Sequence, residues 1–116
     1  MTETRLQQEL MAWLKREHPD AHAHTFHVPN GGGRSKAQGH TMKLMGVKSG
    51  VPDLLCILPN ENHKGLALEL KIGKGRLSDS QVEWIERFAS NGWMAGAAVG
   101  LDNAKRAFET YLGLDQ

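Results

Sequence analysis

A chain of 116 residues, 40% of them hydrophobic and 23% charged, has apolar material for one core and too little for two, so a single domain over 1–116 is expected. No apolar run reaches the roughly 18 to 20 residues that cross a bilayer, and Met1-Thr2-Glu3-Thr4 lacks the basic-then-apolar layout of a signal peptide, so a cytoplasmic protein without membrane contact is expected. The net charge of +1 hides a lopsided distribution: no acidic residue lies between Asp20 and Asp53, a stretch holding Arg34, Lys36, Lys43, Lys48 and four histidines, which suits a polyanionic partner.

In chain order, Thr4 followed by Gln7 reads as a capping box opening an amphipathic helix, with Leu6, Leu10, Trp13 and Leu14 at helical spacing and an end near His18-Pro19. His24 to Val28 reads as a short strand. Pro29-Asn30-Gly31-Gly32-Gly33 then breaks regular structure, and residues 28–50 are expected to form a basic, glycine-rich loop. Loops longer than about 12 to 15 residues are uncommon in compact domains unless they serve a function. Its lysines and arginine, spaced by glycines, suit contact with phosphates. The segment Gly-Gly-Gly-Arg-Ser-Lys lacks the Gly-Lys-Ser/Thr ending of a nucleotide-binding loop, so no nucleotide cofactor is expected.

Asp53 to Leu58 reads as a buried strand in which Cys56 is an inert core thiol, Pro59 to Asn62 as a turn, and Gly65 to Ile72 as the second strand of a hairpin. Strand alternation puts Leu66, Leu68, Leu70 and Ile72 on one face and Ala67, Glu69 and Lys71 on the other. After the turn Gly73-Lys74-Gly75-Arg76, Ser78 and Gln81 form a second capping box for a helix carrying Trp84, Ile85, Phe88 and Ala89. A strand from Trp93 to Val99 follows, and then a helix capped by Asp102 with Gly113 just past its end. The order α-β-β-β-α-β-α, with a βαβ unit joining the Glu69 and Trp93 strands in parallel, predicts a mixed sheet flanked by helices.

The chemistry concentrates at the hairpin. Glu69 and Lys71 sit about 6.6 Å apart on one face of a strand whose reverse is apolar, and Asp53 opens the adjacent strand about 4.8 Å away. Two carboxylates and the Leu70 backbone carbonyl suit a hard cation such as Mg²⁺ (or Mn²⁺), which keeps waters in its other positions. Lys71 then stands where it orients a water or neutralises charge building on a phosphate. The bland alternative is a solvated Glu69–Lys71 ion pair on an edge strand. Gln81 interrupts the apolar stripe of its helix; a capping-box role and an active-site role both remain open, because its first turn aims back at the face bearing Lys71.

The ordered set Gly46-Val47-Lys48-Ser49-Gly50-Val51-Pro52-Asp53-Leu54, Glu69-Leu70-Lys71 and Leu77-Ser78-Asp79-Ser80-Gln81-Val82-Glu83-Trp84 resembles the virus-type replication-repair nuclease (VRR-NUC) domain of the PD-(D/E)xK nuclease superfamily. The resemblance implies a restriction-endonuclease-like α-β-β-β-α-β core with a four-stranded mixed sheet and a C-terminal helix. It also implies a Mg²⁺- or Mn²⁺-dependent deoxyribonuclease with Asp53, Glu69 and Lys71 as catalytic core and Gln81 beside them. The family pattern places a metal-ligating glutamate at Glu9, which otherwise reads as an exposed helix carboxylate. Free-standing members resemble homodimeric junction-resolving enzymes, so branched DNA such as a Holliday junction is the expected substrate, with a flap or single-strand nuclease or a catalytically silent binding module as alternatives. Asn30, Arg34, Lys36, Lys43, Lys48, Lys74 and Arg76 are the expected DNA-binding residues.

Overall fold

The computed structural model describes residues 1–29 and 35–114. Helix α1 (Glu3–Glu17) is followed by a one-turn helix α2 (Pro19–Ala23), strand β1 (Thr25–His27), helix α3 (Lys36–Leu44), strands β2 (Leu54–Cys56) and β3 (Leu66–Lys71), helix α4 (Asp79–Ser90), strand β4 (Met94–Val99) and helix α5 (Leu101–Tyr111). The sheet order is β1-β2-β3-β4, antiparallel through the first three strands and parallel between β3 and β4. This is the mixed four-stranded sheet with flanking helices and a C-terminal helix expected from the hydrophobic pattern.

One face of the sheet carries the core. Leu54 pairs with Leu68 and Cys56 with Leu66, so their side chains share a face. Leu6, Leu10 and Leu14 of α1 and Phe108 and Tyr111 of α5 close over them, all but fully buried. Burial of each such leucine contributes about 1.5 to 3 kcal/mol. Helix α4 crosses the opposite face near β3 and β4, joined to Trp93 by an edge-to-face contact from Phe88 (5.1 Å between ring centroids).

Several expected boundaries are corrected. The first helix is capped by Thr2, whose hydroxyl accepts from the Arg5 amide at 3.1 Å, so Thr4 lies inside it and makes no cap. The last helix is preceded by Gly100, at φ +86°, with no side-chain cap, and Asp102 lies in its first turn. The 28–50 segment is not loop throughout. Ser35 and Gln38 form a full capping box and open α3, a nine-residue helix that buries none of its residues. Without a buried face it leaves no apolar stripe in the sequence. Lys36 and Lys43 therefore sit on a helix, at its first and last turns, and Lys48 stays in a loop.

Candidate active site

Asp53 is held by its own backbone. The carbonyl of Asp53 accepts the Val28 amide at 2.9 Å and His27 Nδ1 at 2.9 Å, so that ring nitrogen carries the proton. Upstream, Gly50 adopts φ +88° and packs so tightly on the start of α4 that an added Cβ would lie 2.6 Å from the Ser80 carbonyl carbon. The chain entering Pro52-Asp53 is thus pinned against both β1 and α4, and Pro52 is buried. Asp53 stands one residue before the Leu54–Leu68 pair, which sets it across from Glu69.

Its carboxylate then reaches across to β3, where Oδ2 accepts the Leu70 amide at 2.8 Å. The Lys71 carbonyl accepts Gly100 N–H at 2.9 Å on the β4 side. Alternation along the strand consequently turns the Leu70 N–H and C=O the other way, to the side of Asp53. Leu70 and Asp53 line a cleft of about 350 Å³ whose other walls include Glu3, Gln7 and His27.

Glu69 is 3% exposed, and Lys71 Nζ lies 3.9 Å from its Oε2. With side-chain exposures of 14% and 4%, this pair is no solvated surface bridge. Burial first, then the charge of Asp53, pushes the Glu69 carboxyl up to about 8; Lys71 opposes this only in part, and Glu3 adds a further upward push.

Gln81 serves two partners through the two ends of one amide. Its Oε1 accepts the Ser78 N–H at 2.9 Å, completing the capping box of α4, and its Nε2 donates to Glu69 Oε2 at 3.1 Å. The Ser78 N–H can only donate, so Oε1 faces it and Nε2 is left for Glu69. The two readings of Gln81 left open by the sequence are compatible: the first turn of α4 delivers the cap and the contact together.

Glu9 is not among the residues lining the Asp53 cleft. It pairs with Arg5 at 3.0 Å, at 35% side-chain exposure, while Glu3 occupies the cleft. Glu3 heads the stripe Leu6, Leu10, Leu14, which faces the sheet, whereas Glu9 is rotated about 100° from Leu10. That stripe was the signal by which Glu3 could have been found. Among the expected DNA-binding residues, Lys43 and Lys48 line a groove of about 460 Å³ that reaches Gln81, and Lys36 is exposed at the start of α3. Lys74 and Arg76 are exposed on the turn after Lys71, and Asn30 and Arg34 lie outside the described residues.

Among the described residues, no three His, Cys, Asp or Glu side chains stand close enough to hold a metal ion by themselves. Two carboxylates and a carbonyl nonetheless match the needs of Mg²⁺, which is usually held by one or two carboxylates, with waters and substrate oxygens in its other positions. The upward push on Glu69, from burial first and then from the charge of Asp53, points the same way, since a bound cation would favour the ionised carboxylate.

A model of the VRR-NUC domain matches residues 1–101. A solved structure described as a VRR_NUC domain protein is 30% identical, covers 100% of this chain and 92% of its own, and superposes with a TM-score of 0.86. Comparison with curated proteins gives no match.

Proposed function

The chain belongs to the VRR-NUC domain family, nucleases of the PD-(D/E)xK type, and we propose that it is a divalent-metal-dependent deoxyribonuclease that cuts branched DNA, Holliday junctions included. The observation that carries this reading is the cluster of Asp53, Glu69 and Lys71 on adjoining strands, with Glu69 held by Gln81. Asp53, Glu69 and the Leu70 carbonyl would hold the metal, Mg²⁺ or Mn²⁺, with Glu3 as an outer carboxylate in place of Glu9. When bound, such a cation lowers the pKa of a water and draws charge from phosphate oxygens.

The chain's own residues do the rest. Asp53 is locked by its carbonyl and by Leu70 N–H, so it meets its ligand without reorganising. Gln81 keeps one Glu69 oxygen in place through Nε2. Lys71 brings a positive charge beside Glu69 Oε2, where it orients the attacking water and neutralises charge developing on the phosphate. Lys43 and Lys48, on the groove that reaches Gln81, supply positive charge for the DNA backbone.

Symmetrical cutting of a junction calls for two active sites related by a two-fold axis, so a homodimer is part of the proposal. Phe26 on β1 and Ile57 just past β2, 47% and 52% exposed, are apolar surface that a second copy would cover. Sedimentation equilibrium on the active protein tests this part; monomer alone at micromolar concentration, with junction cleavage retained, refutes it. A cytoplasmic site of action accords with this role, and no described helix is long and apolar enough to cross a membrane. The nuclease itself is tested by cleavage of junction, flap, nicked and single-stranded DNA with and without metal. Binding without cleavage of any of them would instead indicate a silent DNA-binding module.

A further inference from the structure

The end of α3 sends its apolar residues in two directions. Met42 and Val47 are half-buried and line a hollow with Val51 and Trp84. Leu44 and Met45, between them in the chain, are each 76% exposed, more than any other large apolar side chain among the described residues. They do not hang on a loose loop. The Val47 N–H donates to the Met42 carbonyl at 2.9 Å and the Gly46 N–H to the Lys43 carbonyl at 3.0 Å, with Gly46 at φ +100°. These are the two bonds of a Schellman closure, and Met42 and Val47 stand at the positions whose apolar side chains accompany it. The cap anchors the inner pair and holds Leu44 and Met45 outward.

What covers this tip follows from the charge around it. Lys43 precedes it and Lys48 follows, both exposed, and no carboxylate occurs in the chain from residue 21 to residue 52. A two-fold contact between copies centred on the tip would set this acid-free surface against itself, and like charges repel. A polyanion with apolar faces inside answers both halves of the pattern, and bases stacked between phosphate backbones are such a surface. The position agrees. Lys43 and Lys48 line the groove that reaches Gln81, whose amide holds Glu69, so the tip borders the surface that leads to the catalytic cluster.

Resting on the nuclease reading, we propose that Leu44 and Met45 form a wedge that enters the base stack of a junction at its branch point and parts the pairs flanking it, while Lys43 and Lys48 hold the adjoining phosphates. Leucine and methionine are among the side chains that DNA-deforming proteins insert between base steps, partly unstacking them. Unstacking is least costly where the stack is already interrupted, as it is at a branch point. The wedge therefore separates a junction from a continuous duplex by the DNA's deformability and not by its sequence.

The test places the fluorescent base 2-aminopurine, which brightens on unstacking, beside the branch point of a four-way junction or in the middle of one arm. Protein is added to saturation in EDTA, so that no cleavage intervenes. Wild type should raise the signal several-fold at the branch point and leave the arm unchanged. Leu44→Ser/Met45→Ser, altered at two exposed positions, should keep its Tm and lose most of the rise. It should weaken junction binding by roughly tenfold and blunt-duplex binding by less than about twofold. The exchange Leu44→Met/Met45→Leu should keep the rise. The proposal is overturned if wild type binds no junction or binds it without a rise, or if the exchange abolishes the rise. It is overturned equally if the serine pair keeps the full rise, lowers junction and duplex affinity alike, or turns a dimer into monomer in sedimentation, which would make the tip a subunit contact. A rise that the serine pair removes, in a protein that cuts no DNA with metal present, would keep the wedge and sink the nuclease. Cleavage without the rise would do the reverse.

Discussion

The Gln81 side chain ties the first turn of α4 to Glu69: one end of its amide caps the helix at Ser78 N–H and the other donates to Glu69 Oε2 at 3.1 Å. The helix cap and the position of Glu69 are therefore set by the same group, and disturbing either disturbs both.

Gln81→Ala removes both contacts. Losing the reciprocal bond of the capping box should cost about 1 kcal/mol of stability, read by urea denaturation. It should also lower kcat by roughly tenfold or more, because Glu69 loses its holding contact. Gln81→Glu keeps the cap acceptor but sets a carboxylate against Glu69 in place of a donor, so it should restore stability without restoring kcat. Recovery of kcat in Gln81→Glu would show that the amide acts only through the helix.

Glu69 gives a pH signature in the metal-free protein. Its folded pKa, about 8, lies above the ordinary value of 4.5, so the folded state holds this proton more tightly than the unfolded state. Stability attributable to Glu69 is fully present below 4.5, falls as pH rises through the interval between the two values, and is gone above 8. Glu69→Gln should flatten this decline and raise Tm most at alkaline pH, measured by calorimetry in EDTA. An unchanged slope in Glu69→Gln would place the proton on another group.

Asp53→Asn separates charge from shape. The amide oxygen can still accept Leu70 N–H, so the fold should keep its Tm or gain slightly as repulsion with Glu69 is relieved. Cleavage should fall on the order of a hundredfold or more. Retained activity would remove Asp53 from the metal site.

Glu3 and Glu9 differ in the same helix. Glu3→Gln should weaken Mn²⁺ binding, followed by titration calorimetry, by roughly tenfold. Glu9→Gln breaks only an exposed pair with Arg5, worth about 0 to 1 kcal/mol, and should leave metal affinity unchanged. The opposite ranking would return the outer-ligand role to Glu9.

The parts legible in the sequence were those where local chemistry and tertiary packing agree. Leu66, Leu68 and Leu70 alternate because a core covers one face of β3, and the Ser78–Gln81 spacing marks α4 because the cap forms as the spacing requires. Helix α3 escaped because none of its residues is fully buried, although Ser35 and Gln38 carry the same capping signature as Ser78 and Gln81. Reading Thr4 as the cap put Glu3 outside the helix, so its place on the cleft beside Asp53 was not legible, whereas Glu9 was expected from the family pattern. The meeting of Asp53 with Leu70 N–H depends on a side chain reaching across to the neighbouring strand, which no spacing rule encodes.

The most direct test incubates wild type and Lys71→Ala with labelled junction, flap, nicked and single-stranded DNAs, in Mg²⁺, in Mn²⁺ and in EDTA. Wild type should cut a branched substrate only when metal is present, and Lys71→Ala should bind the same DNA without cutting it. Cleavage in EDTA, or equal cleavage by Lys71→Ala, would contradict the assignment of chemistry to the Asp53, Glu69 and Lys71 cluster.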